Sequence, residues 1–166
     1  MFPSSFLDTQ DLAIFTDDKD RPLLLAPASE RRNLCLACRS VGVIFADAGK
    51  RFCLCRKPGE DSRWDITAFT LVRHGESRGD AAIRAVAEKT GLSDIQMRKL
   101  TTSFLEEPEG ATWLTLYAAR GGEPVLNDDE EYMFADLDEL ESLGEHLAAL
   151  LSPTLLLAIS VLRRKR

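Results

Sequence analysis

Three sets of residues in this 166-residue chain are of types and at spacings that could do chemistry. The first lies between Glu76 and Lys89. On a helix, positions 85, 88 and 89 are related by i, i+3 and i+4 and share one patch of surface. That patch holds Ala85, Glu88 and Lys89, whose charges sum to zero. Asp80, Arg84 and Glu88 follow at i, i+4 and i+8, the spacing of a solvent-facing ion-pair ladder that contributes a few tenths of a kcal/mol per pair. The second set is Cys35, Cys38, Cys53 and Cys55, a CxxC followed by a CxC, which raises the question of zinc. Arg51–Arg56 reads as a strand that points Cys53 and Cys55 to one face, whereas structural zinc sites usually use two knuckle turns, so small buried thiols are the expectation. The third is the acidic run Asp128–Glu131, by itself a solvated turn.

The segment Leu71-Val72-Arg73-His74-Gly75-Glu76 looks like the signature of the histidine phosphatase family, which would make His74 a nucleophile and Arg73 a phosphate clamp. The partner histidine that family needs would have to be His146, which lies in a Leu/Ala-rich helical segment. A longer match runs over the same residues. From position 70 to Leu92 the chain resembles the Nudix box: Gly, five residues, Glu, seven residues, Arg-Glu, an aliphatic, any residue, Glu-Glu, any residue, Gly, an aliphatic. Glu76, Arg84, Val86, Glu88, Gly91 and Leu92 match, while Thr70, Ala85 and Lys89 stand where the box has Gly, Glu and Glu. The opening hairpin, Cys38-Arg39-Ser40 and the strand between Lys50 and Lys57 resemble the subgroup related to isopentenyl-diphosphate isomerase, although the metal-binding histidines of that enzyme have no counterpart.

The resemblance implies hydrolysis of a nucleoside-diphosphate-like compound. Mg²⁺ or Mn²⁺ would be the cofactor if the protein is active, and none otherwise. Catalytic roles would fall to Glu76, Arg84 and Glu88, with metal ligation by Glu88, Glu130 and Glu131. Because Ala85 and Lys89 remove two of three helix carboxylates, a degraded metal site is expected. In the alternative, a non-catalytic binding module, Lys89 and Arg73 hold a phosphorylated ligand by charge-assisted hydrogen bonds.

The elements that would position these residues can be read from periodicity and punctuation. Leu12–Phe15 and Leu23–Leu25 flank a cluster of turn formers and read as a hairpin. A short helix over Ala28–Leu36 precedes a strand over Val41–Ala46, a turn over Asp47–Lys50 and an antiparallel return to Arg56. Short extended pieces cover Trp64–Val72. A helix starts after the N-cap Ser77, runs to Thr90 and ends at Gly91, with Ile83, Val86 and Ala87 as its buried stripe. Met97–Leu105 pairs with Thr112–Ala119, a strand passes through Tyr132–Phe134, and two helices follow, the last starting near Pro153 with a basic final turn. The expected class is α+β, an α/β/α sandwich on a mixed sheet, as one domain over 1–166 with residues 1–10 as a flexible tail.

The chain is 45% hydrophobic and 29% charged, which excludes a disordered or collagen-like protein. With 21 Lys+Arg against 27 Asp+Glu the formal charge is −6, so the whole molecule offers no footprint for a nucleic-acid polymer or an acidic membrane. The apolar run Leu147–Leu162 is broken at Ser152-Pro153 and is too short to span a bilayer. The expected partner is a small phosphorylated molecule, the candidate assembly a homodimer and the expected location the cytoplasm.

Overall fold

The computed structural model describes residues 12–166; the tail expected over residues 1–10 lies outside them. Strands β1 (Leu12–Thr16) and β2 (Pro22–Pro27) form the opening hairpin, and a single 3-10 turn leads into the short helix α1 (Arg31–Leu34). The long strand β3 (Ala37–Ala46) is the hub of the sheet. Along its length it pairs in succession with β1 at Ala37 and Cys38, with β5 (Ala68–Leu71) from Ser40 to Val43, and with β4 (Phe52–Arg56) at Phe45 and Ala46. Thr67 closes the gap between the last two. Its hydroxyl accepts from the Phe45 amide at 2.8 Å and donates to the Cys53 carbonyl at 2.6 Å.

The other long contact of β3 is a parallel one. β6 (Gln96–Glu107) and β7 (Gly110–Arg120) make an antiparallel hairpin, and β7 runs parallel to β3 from Thr112 to Arg120. β8 (Glu131–Ala135) adds to β4, making a mixed sheet of eight strands among the described residues.

Helix α2 (Arg78–Thr90) covers one face of this sheet, and α3 (Leu137–His146) with α4 (Pro153–Arg164) covers the other, giving the expected α/β/α sandwich. Strand alternation divides the core. Val41, Val43 and Phe45 of β3 face α2, while Ile44 joins Leu116, Leu140, Leu155 and Ile159 beneath α3 and α4. Gly42 falls on the α4 side, where a Cβ would lie 2.5 Å from Ile66 Cδ1, so a larger residue there would require the Ile66 side chain to move.

Helix α2 begins and ends as its sequence dictates. The Ser77 hydroxyl accepts from the Asp80 amide at 3.0 Å, and Gly91 terminates the helix in the left-handed region at φ 73°. Its buried face differs from the expected stripe. Ala81, Ala82, Ala85 and Val86 are buried, Ala87 is half-buried, and Ile83 is 44% exposed. The face is rotated because a row of alanines lets the helix approach β3 and β5 more closely than a row containing Ile83 would.

Candidate functional site

Glu76 precedes α2, and Arg84 lies two turns into it. The Arg84 guanidinium donates to both Glu76 carboxylate oxygens, at 2.8 and 3.0 Å, to the Leu71 carbonyl at 3.0 Å and to the Thr70 hydroxyl at 3.1 Å. Glu76 in turn accepts from the Arg73 amide at 3.1 Å. The Arg84 hydrogen bond, working against partial burial, holds the Glu76 carboxyl below its usual range, and Glu76 likewise raises Arg84. Glu88 reaches Arg84 at only 3.7 Å, with a side chain 62% exposed; Asp80 has no part in this network. The expected ladder therefore reduces to one weak rung.

Beyond this clamp a groove of about 610 Å³ opens between α2, the β6–β7 turn and the start of α4. Ala85, Glu88 and Lys89 line it from α2, as their spacing predicts. Glu130 closes it from the loop before β8 and forms an ion pair with Lys89. Burial disfavours the Lys89 charge, but the hydrogen bond and charge of Glu130 outweigh it, and Lys89 is held above its ordinary range as a cation. Its ammonium also lies 5.7 Å from the centre of the Tyr132 ring.

Several site residues stand away from the groove. Glu131 turns to Arg56, so strand alternation leaves Glu130 alone of the two facing α2. Arg73, Arg84 and Glu76 are absent from the groove lining, and the last two hold the loop to the helix. His74 is exposed on the turn before α2 and His146 is exposed at the end of α3, elements on opposite faces of the sheet, which argues against the nucleophile-and-partner reading.

Other residues line the groove that sequence reasoning passed over. Glu107, at the end of β6, faces Arg31 of α1 at 3.9 Å, and burial pushes its carboxyl up despite that neighbour. Asp65 accepts from the Ser152 hydroxyl at 2.7 Å, tying the start of α4 to the groove wall. The Glu106-Glu107-Pro108-Glu109 run was the available signal, but it reads equally well as a turn. Among the described residues six carboxylates face the groove against three cations, Arg31, Lys57 and Lys89.

The cysteines do not converge. Cys35 is exposed, in the left-handed residue that ends α1, while Cys38 is buried in β3. Cys53 and Cys55 are raised by burial to about 11 and about 12, and the Cys55 thiol, on the groove wall, donates to the Ile66 carbonyl at 3.1 Å. Among the described residues no group of three or more His, Cys, Asp and Glu side chains is placed to hold a metal ion.

The NUDIX domain model matches residues 37–154, from the start of β3 through the groove to the start of α4. This chain belongs to that family. An uncharacterized Nudix hydrolase of Pseudomonas aeruginosa is 28% identical over 128 residues, covering 73% of this chain and 74% of that one. Among solved structures, a Deinococcus radiodurans protein superimposes with a TM-score of 0.68 at 14% identity, covering 90% of this chain and 97% of that chain. A MutT protein of Methanosarcina mazei gives 0.61 at 18% identity, covering 76% and 93%. Nudix hydrolases generally use divalent metal ions and act on small phosphorylated substrates. Among the described residues no helix is long and apolar enough to cross a membrane.

Proposed function

We propose that this Nudix protein is an atypical hydrolase whose groove receives a small nucleoside-diphosphate-like compound and whose turnover with Mg²⁺ or Mn²⁺ is weak, because the metal site on α2 is degraded. One observation carries this reading: Lys89 occupies the helix patch and is neutralised there by Glu130. The donor set does not fit a dication. Ala85 offers a methyl group, Glu130 is engaged by an ammonium, and Glu88 stands at the solvent-exposed rim. A divalent ion at this patch would meet a like charge a few ångströms away, a repulsion of several kcal/mol at an effective dielectric of about 20.

In the alternative, the binding module, the ligand is held by groove cations. Lys57 and Arg31 support it better than Arg73, which lies outside the lining, and Lys89 could serve only by exchanging Glu130 for a phosphate. The test is turnover of nucleoside diphosphate derivatives with and without Mg²⁺ or Mn²⁺, together with a Mn²⁺ titration. Rates at or near background and no stoichiometric Mn²⁺ are expected. Turnover of about 1 per second or faster with added metal would refute the degraded-site reading.

A further inference from the structure

At the opposite end of the β6–β7 hairpin the surface changes sign. A cavity of about 530 Å³ is lined by the ends of β3 and β7 and the end of α4, and its rim carries Lys50, Arg98, Arg120, Lys165 and Arg166, with no acidic residue among the described residues of the lining. In a chain of formal charge −6 this is a local reversal, and it is built from four separate elements: the β3–β4 turn, β6, β7 and the end of α4. Of the five, only Arg166 has acidic partners among the described residues, Asp138 and Glu141. Arg120 also borders a neighbouring depression that holds Asp47 and Asp94.

The hollow has a sequence cause. Ala46 and Ala118 end the parallel strands β3 and β7 with methyl groups on the α4 side of the sheet, leaving a floor beside the partly buried Phe52 and the buried Leu162. Arg98 and Glu107 are nine positions apart on β6, about 30 Å at the rise of a strand, so this cavity is separate from the acidic groove.

The geometry points to a second binding site, for a polyphosphorylated small molecule that carries a planar ring, such as a nucleoside triphosphate. The cationic rim matches the phosphates, and Arg98 and Arg120 offer forked donors. The apolar floor matches a ring, and the volume is that of a small-molecule pocket rather than of a polymer track.

The test is calorimetric titration of ATP into the full chain in EDTA, so that metal-dependent binding at the groove does not contribute. Saturable 1:1 binding is expected, about tenfold or more weaker in the double variant Arg98→Glu, Arg120→Glu, whose changes are on exposed side chains. Lys165→Glu, at the chain's last turn, should weaken binding in the same direction and covers the case in which the double variant misfolds. Inorganic triphosphate should bind less tightly than ATP, and equal affinity would overturn the ring assignment. Three results would overturn the site itself: no saturable ATP binding, binding undiminished in both variants, or a single-stranded oligonucleotide that binds tightly and that ATP does not displace. Because the readout is binding in EDTA, its failure leaves the metal and turnover test of the groove standing.

Discussion

Lys89 in the last turn of α2 and Glu130 before β8 form an ion pair across the groove, 41 residues apart in sequence, with side chains only 20% and 16% exposed. The pair does two things at once. It satisfies a cation that partial burial would otherwise penalise, and it occupies a carboxylate that faces the family's helix patch.

Reversing the charge at that patch should create metal affinity. The double variant Ala85→Glu, Lys89→Glu brings two carboxylates beside Glu88 and releases Glu130, a set of hard oxygen ligands suited to Mg²⁺ or Mn²⁺. We expect measurable Mn²⁺ binding by calorimetry or electron paramagnetic resonance, with none in the wild type. A folded double variant that binds no Mn²⁺ would show that these positions do not converge.

The Glu76–Arg84 clamp should be a stability element. Arg84→Ala leaves a partly buried carboxylate without its bidentate partner and strips donors from the Leu71 carbonyl and the Thr70 hydroxyl, at a cost of roughly 1–3 kcal/mol. Denaturant melts of the variant and the wild type measure it, and a change within about 0.5 kcal/mol would make the clamp incidental.

The same pair sets a pH dependence with a definite sign. Because the folded Glu76 carboxyl titrates below its ordinary value of 4.5, its contribution is fully present above that value and is lost as the pH falls through the depressed folded one. Thermal melts from about pH 6 down to pH 3 should therefore lose stability more steeply in the wild type than in Glu76→Gln. Parallel curves would remove Glu76 as a contributor.

Burial on α2 predicts an asymmetry between neighbours. Val86→Ala should cost about 1–3 kcal/mol, because its side chain is fully buried against β3, whereas Ile83→Ala should cost less than about 1 kcal/mol. Equal costs would mean that the helix is rotated from the orientation described.

Thiol reactivity should sort the cysteines. Cys35 is exposed and should alkylate readily near pH 8, whereas Cys53 and Cys55, raised by burial to about 11 and about 12, and the buried Cys38 should react only after denaturation. Elemental analysis should find well under one equivalent of zinc. Stoichiometric zinc, lost together with the fold on chelation, would reinstate the four thiols as a structural site.

Much of the architecture is written in short-range pattern. Ser77 and Gly91 bound α2, Asp47–Lys50 turns β3 into β4, and Pro153 opens α4, because caps and turns are decided by hydrogen bonds within about four residues. The placing of Ala85, Glu88 and Lys89 on one patch follows from the helical repeat alone, whereas Glu76, which precedes α2, is tied to Arg84 only through the resemblance to the Nudix box. What the sequence leaves open depends on phase and on partners far along the chain. Whether Ile83 or Ala82 faces the sheet depends on how closely α2 can approach β3. Strand alternation does not reveal which of Glu130 and Glu131 meets Lys89 until the pairing of β8 with β4 fixes the register, since a one-residue slip exchanges the two faces. Glu107 meets Arg31, and the rim of cations forms around Ala46 and Ala118, only because β7 lies parallel to β3, a pairing between distant segments that no local signal specifies.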